Sequence, residues 1–522
     1  MLLVVGVIAG FVYVLVCTAW QCDDAFIAFR TAQNFWHGKG LVWNPGERVQ
    51  AYTSPLWLMI SVVCYGLFRE VYFSMLAVSM LLSLVCVFII GLRTSTNRVV
   101  SILTVIALSA SASVIDYSTS GLENPLLSLL LVLFVIRVKE LRTQKSLAYL
   151  SFLAALVGLV RLDALLLVLP ALAWTAWQGR INLKSFLYMI LGFSPLILWE
   201  MFSLVYYGSF VPNTAYAKLN IEIPRLALYK QGLSYFVDSL THDPITLSII
   251  AMGVIAGICK GKSATRFIVF GIFLYFLYLI RIGGDFMSGR FFSSVCYACA
   301  AMFVGHCELI RLSFLRDKAR PFLLGIAASG LVLYGFLFPS SRWLSDADYG
   351  KGMGNGSAVS PTGIADERAF YYPRTGLLNI WKYWPEIKQK NLPIPPHPWA
   401  VHGRKFSQSN KMIIITAIGF VGYFTGPDKH IIDVGALGDP FLSRLPFRPI
   451  PGVKWRVGHY ERLIPEGYIE TRMTGIDSFS NRDLVQLYNA VQNVTTGPLF
   501  STGRWREIWR LHTGHYDNLL DS

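Results

Sequence analysis

The sequence predicts an α-helical polytopic membrane protein of about eleven spans followed by a C-terminal extracytoplasmic α/β domain. Three observations predict it. Of 522 residues 54% are hydrophobic and 15% charged, where soluble chains carry about a quarter charged. Apolar stretches almost free of charge recur up to residue 339 and then stop. Between those stretches the basic residues gather in short loops.

The first stretch, 2–20, lacks a basic leader and a small-residue cleavage site, so it reads as a retained span and not as a secretion signal. Stretches 72–93, 98–115, 123–137, 184–207, 243–259, 264–282, 290–308 and 320–339 follow. Residues 146–177 are long enough for two shorter helices broken at Arg161-Leu-Asp163.

The net charge of +15 lies largely in RTSTNR (93–98), RVKELRTQKS (137–146), KGKSATR (260–266) and RLSFLRDKAR (311–320). That pattern is cytoplasmic anchoring by the positive-inside rule, and it argues against a nucleic-acid partner. With those loops inside, residues 340–522 lie outside, together with 116–122, 161–163, 208–242 and 281–290. Residues 54–70 are apolar too, but a full span there puts the first loop on the wrong side. They read as an interfacial helix, with a twelfth span as the alternative. Residues 21–71 then form one large outer loop, 1–339 a membrane domain and 340–522 a soluble one. None of the eight cysteines lies beyond Cys307, so the outer domain has no disulfide framework.

In the outer domain MIIITAIGFVGYFTG and KHIIDVGALGD alternate short apolar runs with glycine, the pattern of buried strands joined by tight loops or helices. A strand is expected at 412–417, after an extended NLPIPPHPW. Asp433 and Asp439 close apolar runs beside glycine and read as turn formers.

Ionisable residues beside membrane segments are expensive to desolvate, and here they collect on the outer side. Asp23, Asp24 and Arg30 follow the first span. Asp116 and Glu123 lie in DYSTSGLENP, Arg161 and Asp163 in VRLDALL, Lys218 in NTAYAK, and Arg281, Asp285 and Arg290 in RIGGDFMSGRF. Carboxylates take a proton from a hydroxyl, and cations hold a phosphate leaving group. The plainer readings are a salt bridge at a helix end for Arg161 and Asp163, a helix N-terminus for Glu123 and a headgroup anchor for Arg281. Phe35, Trp36, Trp43, Tyr52 and Trp57 are interfacial anchors or sugar platforms, with His37 a polar member of their loop. The glycines match neither a Walker nor a dinucleotide fingerprint, so no nucleotide is expected.

The stretches DDAFIAFRTAQNFWHGKGLVWNPGERVQAYTSPLW, TSGLENPL, YYGSFVPNTAYAK and GGDFMSGRF resemble the polyprenyl-phosphate-dependent GT-C glycosyltransferases, and among them the arabinofuranosyltransferases. The likeness continues in GIADERAFYY, IGFVGYFTGPDKHIIDVGALGDPFLSRLP and WRVGHYERLIPEGYIE. The resemblance implies a GT-C fold, an inner-membrane location with a periplasmic active site, and a polyprenyl-phosphate-linked arabinofuranose donor. It implies a catalytic base at Asp24 or Asp23, with Asp24 favoured. Lys218, Arg290 and Arg161 are expected to hold the donor phosphate, and Arg30, His37, Tyr52, Glu123 and Asp285 to shape the sugar pocket. No cofactor and no metal site are expected, though the Asp23–Asp24 pair has the chemistry to hold a divalent cation. For the acceptor, the short chain and its Lys and Ile content favour a type IV pilin, with cell-envelope arabinan as the alternative. A transporter or flippase of lipid-linked sugar is the rival class. Midplane charges and an internal repeat are its marks, and the sequence shows neither.

Overall fold

The computed structural model describes residues 2–94, 97–138, 144–178, 182–307, 319–338, 341–352, 358–409 and 412–519. The basic loop 311–320 lies almost wholly outside the described residues, and those at 93–98 and 137–146 lie partly outside them. The chain is mostly helical and divides into two compact units, interleaved along the sequence. One holds Met1–Cys22, Tyr72–Leu196 and Arg225–Gln389, and the other Asp23–Val71, Ile197–Pro224 and Lys390–Ser522. The units are defined by contacts and the 339/340 boundary by hydropathy, two different properties.

In the first unit the apolar stretches are helices. The pair expected from 146–177 forms as Gln144–Val160 and Leu165–Gln178, separated by an extended Arg161 and a single turn at Leu162–Ala164. Among the described residues three helices are long and apolar enough to cross a membrane, or up to five if two bent helix pairs each count as one span. Six shorter apolar helices accompany them, Pro55–Phe68 of the second unit among them. The protein is a multi-pass membrane protein.

Residues 341–352 and 358–389 fold with this unit through buried ion pairs. Arg342 donates to both oxygens of Asp116, at 3.0 and 2.6 Å, and to Asp366 at 3.2 Å. Arg368 lies 2.9 Å from Asp116 and stacks over Tyr349.

The second unit contains the strands. Ile413–Ile415 and Ile431–Asp433 pair in parallel, Ile413 opposite Ile431 and Ile415 opposite Asp433. A parallel pair needs a crossover, and the helix Ile418–Thr425 lies on that connection. The strand expected at 412–417 is thus real but shorter, because the apolar run turns helical at Ile418. Segments distant in sequence complete the unit. The Asn44 side chain donates to the Ile431 carbonyl at 2.9 Å and accepts from its amide at 3.0 Å. The Asn213 amide donates to the carbonyls of Ala436 and Leu437. Residues 54–70 give the helix Pro55–Phe68, packed on the helix Asp23–Trp36, where Trp36 donates to the Val62 carbonyl at 2.7 Å.

Asp433 accepts backbone N–H bonds from Gly435 and Gly438, and Asp439 from Phe441 and Leu442. Both are the turn formers that their neighbouring glycines suggest.

Candidate active site

The helix Asp23–Trp36 opens with two carboxylates in its first turn, where the helix dipole favours negative charge. Its apolar face, led by Phe26, meets Phe420 at 4.5 Å and Tyr423 at 5.4 Å between ring centroids. That contact brings the N-terminus of the helix Ile418–Thr425 against Asp23. One Asp23 oxygen accepts from the Phe420 amide at 2.6 Å and the other from the Gly419 amide at 2.9 Å. Asp23 is thereby buried and spent on a neighbouring helix end, whose first N–H groups have no partner within their own helix.

Asp24 differs from its neighbour. It is partly exposed, and among the described residues no hydrogen bond engages its carboxylate. It lies within electrostatic reach of His459, as does Lys218. Burial and the Arg456 guanidinium hold the His459 ring below its ordinary value, while the Asp24 carboxylate pulls it upward. One carboxylate and two cations of the second unit thus lie within electrostatic reach of one imidazole. His459 was not foreseen as a site residue. Its one signal was its place in WRVGHYERL, a stretch that carries the family resemblance without marking any residue within it.

Other expected members of this site have different surroundings. Arg30 is fully buried and stacked on Trp43, and its guanidinium donates to the backbone carbonyls of Trp43, Gly422, Gly426 and Lys429. It is engaged in tying 30, 43 and 422–429 together, not in lining a sugar pocket. Tyr52 is buried with its hydroxyl 2.7 Å from that of Tyr207. His37 is exposed, its Nδ1 2.8 Å from the Gln33 carbonyl oxygen.

The first unit gathers the remaining expected residues into a second cluster. Arg161 donates to both oxygens of Asp163, at 3.0 and 2.8 Å, and to Glu123 at 3.0 Å. Arg290 reaches the same Glu123 oxygen at 3.4 Å and Asp285 at 3.5 Å. Both guanidinium groups sit over the ring of Phe291. The Arg161–Asp163 pair has the geometry of a salt bridge at a helix break. With three carboxylates against two guanidiniums, the cluster is negative overall, and Arg290 makes the longer ion pairs of the two arginines.

Among the described residues no group of three or more His, Cys, Asp or Glu side chains is placed to hold a metal ion. At the Asp23–Asp24 pair the backbone amides engage both Asp23 oxygens, so a cation there competes with the helix contact.

This is a helical membrane protein with a carboxylate–imidazole–cation site, and comparison with known proteins says what kind. It is 28% identical over 540 aligned residues, 86% of this chain and 82% of the relative, to a terminal β-(1→2)-arabinofuranosyltransferase of Mycobacterium tuberculosis. A protein of the same name from Corynebacterium glutamicum is 29% identical over 319 residues, 52% of this chain and 46% of the relative. No protein-family model matches. Among solved structures, ArnT from Cupriavidus metallidurans bound to undecaprenyl phosphate aligns over 82% of this chain and 85% of its own, at 11% identity and a TM-score of 0.45. The arabinofuranosyltransferase resemblance read from the motifs is borne out, in that the chain is similar to two glycosyltransferases of that name. The pilin preference finds no support in these comparisons, since neither relative is named for a pilin. Its basis, Lys and Ile content, reports genome composition as much as substrate.

Proposed function

We propose that this protein transfers arabinofuranose from a polyprenyl-phosphate donor to a hydroxyl of a cell-envelope arabinan, capping it in a β-(1→2) linkage on the periplasmic face of the inner membrane. The observation that carries the reading is Asp24, a carboxylate without a hydrogen-bond partner among the described residues and within reach of His459, in a chain similar over 86% of its length to a terminal arabinofuranosyltransferase. A GT-C fold of about eleven spans, with the catalytic face outside, completes the proposal.

In this mechanism Asp24 takes the proton of the acceptor hydroxyl as its oxygen attacks the anomeric carbon. The bond from that carbon to the donor phosphate oxygen breaks, and polyprenyl phosphate leaves as an anion. Lys218, in the same unit as Asp24, stabilises that developing charge. Asp23 is the anchor of the helix Ile418–Thr425, which fixes the direction of Asp24.

The test uses full-length protein in nanodiscs with purified polyprenyl-phosphate arabinofuranose and a synthetic arabinan acceptor. Asp24→Asn is expected to fold, to bind donor, and to lose transfer by about 100-fold or more, the scale of a removed general base. Full turnover in that variant would rule out Asp24 as the base. A pilin subunit in place of arabinan distinguishes the acceptors. Activity unchanged by a chelator is the expected outcome for a metal-free carboxylate base, and its loss would favour a cation at Asp23–Asp24.

A further inference from the structure

The second unit also contains a cleft that none of the residues assigned above lines. Its walls come from residues 48–50, 207–216, 440–444 and 491–511, around a space of about 380 Å³ that includes open solvent. Two arginines, Arg48 and Arg444, line it, and no acidic residue does.

Most polar groups around the cleft are committed to the fold. The Asn213 amide donates to the carbonyls of Ala436 and Leu437, the Tyr207 hydroxyl donates to the Leu41 carbonyl, and the hydroxyls of Ser209 and Tyr216 pair with each other at 3.0 Å. The arginines are only partly committed. Arg48 donates through Nη2 to the Gly497 carbonyl, and the Arg444 guanidinium carbon lies 3.5 Å from the centroid of the Tyr216 ring. The Nε atom of each is buried and, among the described residues, without a partner.

A buried guanidinium N–H without an acceptor is costly, and two of them in one cleft with no carboxylate to neutralise them are an unusual arrangement. The arrangement suits a ligand that brings negative oxygen acceptors with it. Phosphate is the group that guanidinium forks match best. We infer that the Arg48–Arg444 cleft is a phosphate-binding site, separate in its residues from those proposed for the donor. The phosphate comes either from a soluble phosphorylated compound or from a lipid headgroup, and the same two arginines recognise either.

Inorganic phosphate is titrated at constant ionic strength into the full chain in phosphatidylcholine nanodiscs, with chloride as control, and unfolding temperature and hydrogen exchange at 440–444 are followed. In a parallel arm the nanodiscs contain phosphatidylglycerol. A saturable, phosphate-specific stabilisation in the first arm identifies a soluble ligand. Protection at 440–444 that needs phosphatidylglycerol identifies a headgroup. In either case Arg48→Gln and Arg444→Lys, which keeps the charge but loses Nε–H, are expected to weaken the effect on the order of tenfold, the worth of one charge-assisted hydrogen bond. Absence of a saturable effect in the wild-type protein in both arms overturns the proposal whether or not the variants fold. An effect that both variants retain in full overturns it equally.

Discussion

Two adjacent aspartates have been given opposite environments. Asp23 has both oxygens on backbone amides, whereas Asp24 is partly exposed and lies within electrostatic reach of His459. Asp23→Asn keeps one acceptor oxygen and swaps the other for an amide that faces an N–H donor. It is expected to cost about 1–3 kcal/mol of stability, read as a fall in unfolding temperature, with activity lost only in proportion to unfolding. Asp24→Asn is expected to show the reverse, normal unfolding and no turnover. His430 carries a separate pH signal. Burial pushes it down to about 4, Arg472 adds to the effect and Glu47 opposes it, and Arg472 donates to its Nε2 at 2.6 Å. A buried imidazole held neutral contributes stability that is complete above its unfolded value, about 6.5, and is lost as the pH falls toward 4. Between pH 7 and 5.5 the wild type is therefore expected to lose about 1 kcal/mol more than His430→Asn, measured as the difference in their denaturation curves. Burial also pushes Asp433 up to about 7 and Asp439 to about 6. Those shifts act in the opposite direction but are common to both proteins, so they cancel in the comparison.

The helix Ile418–Thr425 is the element on which the second unit turns. It connects the two strands, supplies the amides that hold Asp23, and offers Phe420 to Phe26. Its approach to the helix Asp23–Trp36 leaves no room at Gly419, where an added Cβ stands 1.8 Å from the Asp23 carbonyl oxygen. Backbone cannot yield as a side chain does. Gly419→Ala is expected to cost about 1–3 kcal/mol as an overpacking substitution and to lower activity by displacing the Asp24 turn, measured as parallel losses of unfolding temperature and kcat. The sequence marks this helix poorly. Its residues IGFVGYFT carry two glycines and two phenylalanines, which weaken the helical signal, and the helix fills the crossover that a parallel pair needs.

At the scale of the whole chain, the second unit is assembled from three separated stretches. Asn44, Arg30 and Asn213 supply hydrogen bonds that the C-terminal stretch does not make for itself, to Ile431, to 422–429 and to 436–437. Residues 390–522 expressed alone are therefore expected to remain unfolded, with several buried carbonyl and amide groups deprived of partners, visible as a collapsed amide chemical-shift range and rapid proteolysis. A well-dispersed spectrum from that fragment would refute the interleaved description.

The sequence by itself determined the membrane character, the helix break at Arg161–Asp163, the turn-forming aspartates and the glycosyltransferase resemblance. Each of these rests on local composition or on short ordered motifs, which need no partner to be read. Only the tertiary structure decided that Asp23 is engaged and Asp24 is not, that Arg30 is committed to backbone carbonyls, that Arg161 is saturated by carboxylates, and that His459 stands near Asp24. Those distinctions depend on which groups the fold brings beside each side chain: for Asp23 and Arg30 these are backbone groups nearly four hundred residues away, and for Arg161 a carboxylate on another helix as well as its chain neighbour Asp163.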